Sequence, residues 1–337
     1  MNSQDVIQNS SDFLFVYEAS KCNPNGDPDQ ENKPRMDYDT KTNLVTDTRV
    51  KRFIRDYLKA INDKEVIFVD MEGNSKVSVE SKLKAVVKRT ISDENDLNKA
   101  FQSNSDGLDV YKEIIEKHKG NVDDVLKEIT EKKFSHKDIN YELLAYLVKE
   151  KFIDIRMFGS AFAVGGFTKA YTGPIQMNWG YSLNEVELMD SNSIVTIMND
   201  DNSTFGKDYR VYYSLLAFNG TINKQAAQTT GLKEEDVQIF RNAIWESIPA
   251  SPTRSKLNQY PKLYVEIKYK SGTTNGQLGD LRNYINATPK DGGTYKKVRK
   301  FSDLNFDTSK LNELINNHDN IIDEVIVKTS PDVNFNK

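Results

Sequence analysis

Residues 48–61 constrain the fold most tightly. Val50, Phe53, Ile54, Tyr57, Leu58 and Ile61 recur at i, i+3, i+4, i+7, i+8 and i+11. This is the spacing of a helix with one apolar face against a core. The opposite arc carries Lys51, Arg55, Thr48, Lys59 and Arg52, and Arg49 lies nearer the edge of the apolar face. Thr46, Asp47 or Thr48 is placed to cap the N-terminus, whose unpaired N–H groups favour anions. So two-faced a helix needs another layer to cover it.

The flanking text supplies that layer as strands. FLFVYEA (13–19) is an aromatic and β-branched run that reads as a buried strand. EVIFVD (65–70), FIDIRMFG (152–159), PIQMNWGYSLNEVEL (174–188), SIVTIM (193–198) and RVYYSLLAFNGTI (210–222) read the same way. KLYVEIKYK (262–270) alternates cleanly, with Leu263, Val265, Ile267 and Tyr269 on one face and charges on the other, and IIDEVIVK (321–328) adds a last strand. Amphipathic helices are expected at 233–248 and near 309–318. Residues 80–150 are charged and periodic, a helical insertion. The stretches 20–46, 160–174, 199–208 and 271–300 are rich in Gly, Asn, Asp or Thr and read as a long loop, a glycine-rich linker, a polar turn and a basic loop. Helices around an antiparallel sheet make an α+β protein.

Composition narrows the function. The chain has 37% hydrophobic residues and 16 each of Tyr and Phe, enough for a core and too much for global disorder. No apolar run is long enough to span a membrane and no signal peptide is evident, so a soluble cytoplasmic protein is expected. One cysteine, Cys22, excludes an internal disulfide framework. The formal net charge is −4, yet 11 Lys or Arg face three acids between Arg254 and Lys300, and five face two between Thr46 and Lys59. Cationic patches on an acidic chain point to a polyanion held along one surface, and a helix face of cations beside a positive helix end suits a phosphate backbone.

Catalytic motifs are scarce. His118, His136 and His318 are far apart, without zinc spacing, and no phosphate-binding glycine loop occurs. Asp27, Asp29, Glu31, Asp37 and Asp39 crowd the 20–46 loop. Carboxylates so clustered are candidates for a divalent metal in phosphodiester cleavage. The calcium-loop pattern fails, because counted from Asp27 its sixth position is Asn32 and its twelfth Tyr38. Trp179 and Tyr181 are candidates for stacking on bases.

The blocks NPNGDPDQENKPRMD, LVTDTRVKRFIRDY, DIRMFG, TGPIQMNWGYSLNEVE and SPTRSKLNQYPKLYVEIKY, in this order over residues 23–270, closely resemble the backbone subunit of type I CRISPR surveillance complexes. This is the Cas-seven family of Cascade, within the RAMP superfamily, and the I-B and I-C branches are most similar. The resemblance implies one domain over 1–337. An RRM-like, ferredoxin-like palm would occupy 10–71, 150–177 and 213–335, with helical fingers at 72–149 and a protruding β-hairpin thumb at 178–212. It implies a non-catalytic scaffold, without cofactor or metal, that stacks in many copies along a guide CRISPR RNA (crRNA). Partners would be the crRNA, target DNA paired to it, sister copies, the large subunit, the subunit capping the five-prime end and the crRNA-processing endonuclease. Carried over by position, Thr46, Thr48, Lys51 and Arg55 would hold the guide backbone, flanked by Arg49 and Arg52. Phe158, Gly159, Ser160 and Ala161, with Gln176 and Trp179, would lie against the RNA. Type III relatives cut RNA with an aspartate near the first helix, so a metal-dependent ribonuclease using Asp27, Asp29 or Asp37 is the alternative.

Overall fold

A computed structural model of the chain describes residues 6–61, 67–69, 71–72, 75–76, 79–102, 104–131, 134–164, 167–189, 193–197 and 203–335. In chain order its main elements begin with β1 (Ser11–Cys22), β2 (Met36–Asp37), β3 (Thr42–Val45) and α1 (Asp47–Ile61). Then come α2 (Val79–Ser92), α3 (Glu94–Ala100), α4 (Ser105–Lys117), α5 (Val122–Thr130), α6 (Lys137–Lys151) and α7 (Ile153–Phe158). There follow β4 (Gly159–Val164), β5 (Phe167–Thr172), β6 (Ile175–Met177), β7 (Gly180–Ser182), β8 (Ser193–Ile197), β9 (Ser203–Lys207) and β10 (Val211–Ile222). The chain ends with α8 (Lys224–Thr230), α9 (Glu234–Glu246), β11 (Gln259–Tyr269), β12 (Asn286–Pro289), β13 (Leu304–Asp307), α10 (Ser309–Asn316) and β14 (Ile322–Thr329). The result is a mixed α+β protein in two compact units.

The sheet unit holds residues 7–57, 175–224 and 237–337. Its antiparallel sheet runs β14-β11-β1-β10-β7-β3-β2, with β6 also paired to β10. The register Phe13↔Gly220, Phe15↔Phe218 and Phe15↔Tyr264 sets an aromatic face. There Phe13 stacks on Tyr264, Tyr17 stacks on Phe218, and Phe240 of α9 meets Phe13 edge-on at 5.5 Å between centroids. The opposite face presents Leu14, Val16, Leu215, Ala217, Leu263, Val265 and Ile267. It is buried under Leu278, Leu281, Ile285, Val298, Phe301, Leu311 and Ile315 of the C-terminal segment. The alternation in β11 therefore does not separate core from solvent. Glu266, read as facing water, is buried and paired with Arg241 of α9 at 2.8 Å.

The helical unit holds chiefly residues 58–174 and 225–236. Residues 150–174, expected in the palm, fall in this unit. Asp93, Asn104 and Asn121 cap α3, α4 and α5 by accepting backbone N–H bonds, so the polar text between apolar stripes starts each helix. The core gathers Val87, Ile91, Phe101, Tyr111, Val125, Leu143, Leu147 and Phe152. Two strand predictions fail here. Within EVIFVD, residues 67–69 form a bend and 65, 66 and 70 lie outside the described residues. FIDIRMFG forms the short helix α7, where buried Asp154 accepts from the N–H groups of Phe68 and Val69 at 2.8 and 3.0 Å. Arg156 grips Asp236 with two bonds of 2.8 Å and Thr230 donates to the Arg156 carbonyl, tying α8 in.

The expected linker at 160–174 is instead the β4/β5 hairpin. Within the span expected to be a hairpin, 178–212, the paired strands β8 and β9 occupy 193–207, whereas β7 belongs to the main sheet. Part of the expected turn at 199–208 is thus strand β9, and residues 198–202 lie outside the described residues. The loops at 20–46 and 271–300 also gain short strands, β2 and β3 in the first and β12 in the second.

Candidate nucleic-acid interface

α1 forms as its periodicity requires. Val50, Phe53, Ile54 and Leu58 are buried to 1% exposure or less, while Ile61, assigned to the same arc, is 57% exposed. The Thr46 hydroxyl caps the helix by accepting from the Arg49 N–H at 3.2 Å. Asn25 holds Thr46 in turn, its Oδ1 accepting from the Thr46 N–H and hydroxyl at 2.9 and 3.0 Å. Asn25 thus positions the helix start, a role hidden in the sequence within a run of turn residues.

The cations of α1 divide into an outer row and an inner one. Thr48 is exposed. Lys51 pairs with Asp47 at 3.0 Å and donates to Gln176 Oε1 of β6 at 3.2 Å. The structure thus brings together two predicted contacts 125 residues apart. The same contacts leave the Lys51 side chain only 12% exposed, less open than the wheel predicts. Arg52 pairs with Asp56 at 2.8 Å, and Arg55 is half-buried. Arg49 turns inward, its guanidinium 4.0 Å from the Phe53 ring centroid. Burial lowers its pKa, against the favourable field of Tyr17.

A second polar patch lies on β7 and the turn that leads into it. Trp179 and Tyr181 are 41% and 43% exposed, each beneath a guanidinium, Arg35 at 5.9 Å and Arg282 at 4.8 Å. Arg282 also donates to the Trp179 carbonyl at 2.9 Å and pairs with Asp280. Sequence reading flagged the basic loop but had no periodicity with which to single out Arg282. An RRM stacks bases on an open sheet face. Here one face meets α9 and the other the C-terminal segment, and among the described residues the rings left open by the sheet include Trp179 and Tyr181 at β7 and Tyr260, 48% exposed, on β11.

Phe158, Gly159, Ser160 and Ala161 lie in the helical unit, at the joint of α7 and β4. Phe158 is buried, Ser160 half-buried and Ala161 exposed. Gly159 has φ +71°, and a Cβ there would stand 2.1 Å from the Tyr171 carbonyl oxygen, so the backbone crossing requires glycine.

Asp27, Glu31 and Asp37 of the 20–46 loop are engaged in local structure. Asp27 pairs with Arg35 at 3.2 Å and accepts from the Asp29 N–H. Asp37 accepts from Thr40 and the Asp39 N–H, which lowers its pKa. Glu31 accepts from Lys207 at the end of β9 and from Tyr209, bonds that hold its pKa down. Among the described residues no three His, Cys, Asp or Glu side chains gather as a metal site. No helix among them is long and apolar enough to cross a membrane.

The family described as CRISPR-associated protein Cas7 matches residues 9–309. The chain belongs to the Cas7 family. A relative described as CRISPR-associated protein Cas7, from Haloferax volcanii, is 30% identical over 317 residues, covering 91% of this chain and 83% of its own. A solved chain titled "CRISPR RNA-guided surveillance complex, pre-nicking" superposes with a TM-score of 0.52 at 12% identity, over 96% of this chain and 94% of that one, a likeness of fold. The Cas7 match begins just before β1 and ends at the start of α10. It therefore takes in α1, Gln176, Trp179 and the α7–β4 joint.

Proposed function

We propose that the chain is a non-catalytic, cytoplasmic scaffold that binds guide RNA and repeats along it as the backbone of a CRISPR surveillance complex. Membership of the Cas7 family over residues 9–309 carries this reading. The order β11-β1-β10-β7, with α1 after β1 and α9 before β11, supports a ferredoxin-like palm. The β8/β9 hairpin is the candidate thumb and α2–α6 are the candidate fingers. The guide backbone runs along Thr46, Thr48, Lys51, Arg52 and Arg55, with Arg49 behind them. Gln176 and Trp179 are candidate RNA contacts in the sheet unit, and Phe158, Gly159, Ser160 and Ala161 are separate candidates within the helical unit. Base pairing to target DNA is left to the guide, because cations on a helix face touch phosphates and carry no sequence information. Sister copies and the other Cascade subunits are the protein partners.

Purification under low salt tests the proposal. The chain is expected to retain RNA of defined length in a ladder of oligomers. Its affinity for single-stranded RNA is expected to fall with log salt by about 0.7 per phosphate contacted. RNA-free monomer with no gel shift would overturn the reading. Magnesium- or manganese-dependent cleavage, abolished by Asp27→Ala or Asp37→Ala, would instead establish the ribonuclease.

A further inference from the structure

Tyr181 is turned out of the sheet by its neighbour. A Cβ on Gly180 would stand 2.3 Å from the Phe218 ring, so position 180 faces the aromatic side of the sheet. Alternation along β7 then sends Tyr181 to the opposite side, where its partner across the strands is Ala217 of β10. That side is the one covered by the C-terminal segment, and the segment reaches Tyr181 through Arg282, whose guanidinium lies 4.8 Å from the ring centroid. The ring stays 43% exposed, and that of Trp179 stays 41% exposed.

Arg282 is held on all three of its nitrogens. Its Nε and Nη2 donate to the Asp280 carboxylate at 3.0 and 2.5 Å, and its Nη1 donates to the Trp179 carbonyl at 2.9 Å. Asp280 also accepts from the Arg282 N–H at 3.0 Å, which starts the turn Leu281–Tyr284. Both ends of the Arg282–Trp179 bond are fastened to one residue of β10. The Asn219 carbonyl accepts from the Asn178 N–H at 2.9 Å, and its side-chain oxygen accepts from the Leu281 N–H at 3.0 Å. A guanidinium so engaged, with its side chain only 15% exposed, has little left to offer a phosphate. What it supplies is a fixed place for Tyr181 and for the turn that carries Trp179.

The covering cations also select the ligand. Tyr181 has Arg282 over its ring, and Trp179 has Arg35 at 5.9 Å. A cation on one face uses the negative quadrupole of the ring, so a second cation on the other face is repelled, whereas a neutral flat ring still stacks there. An unpaired nucleobase meets that requirement and an ammonium group does not. Stacking of this kind tolerates any base.

We propose that Tyr181 and Trp179 form a stacking platform for unpaired bases of the RNA, and that Arg282, locked by Asp280, is the positioning residue that sets it. The inference rests on the RNA-binding reading and deepens it: α1 meets phosphates, whereas this patch meets bases and adds a share of affinity that salt does not screen.

The test uses the full chain with a short oligouridylate and an abasic ribose-phosphate strand of the same length, which keeps the phosphates and lacks the bases. The parent is expected to bind the oligouridylate at least about fivefold more tightly, the worth of one stacked base. Tyr181→Ala, Arg282→Met and Arg282→Lys are expected to bring that ratio towards one and to keep the parent slope of log affinity against log salt. Lysine retains the charge but not the planar fork that joins Asp280, Trp179 and the ring. With Trp245, the other tryptophan, replaced by Phe, the emission of Trp179 is expected to be quenched by the oligouridylate and not by the abasic strand. A substitution that merely loosened the fold would weaken both strands alike, leave the ratio in place and refute the positioning role. Equal, salt-dependent binding of the two strands by the parent refutes the platform and leaves the RNA-binding reading standing. A slope flattened by about 0.7 in Arg282→Met would make Arg282 a phosphate contact and overturn its assignment. Binding of neither strand would overturn the platform and the reading together.

Discussion

The two faces of α1 make opposite predictions for neighbouring residues. Phe53 is 1% exposed, and its ring carries the Arg49 guanidinium at 4.0 Å. Phe53→Ala removes a buried ring at a cost of about 3–5 kcal/mol. It also removes a partly desolvated cation–π contact worth about 1 kcal/mol. On the outer side, Lys51→Ala with Arg55→Ala breaks the i,i+4 pair with Asp47, worth about 0.3–0.5 kcal/mol. The double variant should therefore unfold in urea within about 1 kcal/mol of the parent. In RNA binding the ranking reverses. If each cation meets one phosphate, the double variant flattens the slope of log affinity against log salt by about 1.4. Phe53→Ala, where still folded at low temperature, should keep the parent slope. Urea titration and fluorescence-anisotropy binding at four salt concentrations measure both quantities. An unchanged slope in the double variant, or equal destabilisation of both proteins, would refute the division of α1 into a packing face and a phosphate face.

Three further outcomes follow from the geometry. Glu266 accepts from Arg241 at 2.8 Å, Tyr264 at 2.7 Å and Ser11 at 2.7 Å, and Glu266→Gln should destabilise by about 3–5 kcal/mol, because it leaves Arg241 charged and buried. Burial alone would raise the Glu266 carboxyl, but these bonds outweigh it and lower its pKa, so its stabilising share is full above the unfolded value near ~4.3 and is lost as pH falls through the folded value; urea midpoints from pH 7 to 3 in parent and variant would show it. Gly159→Ala should break the crossing at Tyr171, raising protease sensitivity within the helical unit while β1, β10 and β11 keep their amide protection. Asp27→Ala should cost about 1 kcal/mol as a lost cap and leave RNA binding within twofold, measured by thermal melting and gel shift.

What the sequence made legible was whatever repeats locally. The α1 stripe and the β-branched runs of β1, β10, β11 and β14 announce themselves by period. What it concealed was decided by distant partners. Phe152, Ile153, Ile155, Met157 and Phe158 form an apolar run too short for its period to separate strand from helix. The outcome rests on the bonds of Asp154 to residues 68 and 69 and of Arg156 to Asp236. The glycines of 160–174 read as a linker, although the flanking residues pair as β4 and β5. Lys51 lies on the outer arc as its wheel position requires, but no wheel shows that Gln176 covers it. Lys256 has no period at all and acquires its position only from the backbone bonds that seat its turn on β1.

The closure of the sheet has a consequence for how an acidic chain can hold RNA. With the aromatic face against α9 and the opposite face beneath the C-terminal segment, few rings of the sheet are left open for stacking, Trp179 and Tyr181 beside β7 and Tyr260 on β11 among them. Affinity must then come mainly from phosphates, and the chain gathers its cations to suit, five of them between Thr46 and Lys59 and 11 between Arg254 and Lys300. Several of these are held by carboxylates, as Lys51 is by Asp47, Arg52 by Asp56 and Arg282 by Asp280. A phosphate that replaces such a carboxylate gains only the difference between two ion pairs, which fixes orientation more than it adds affinity.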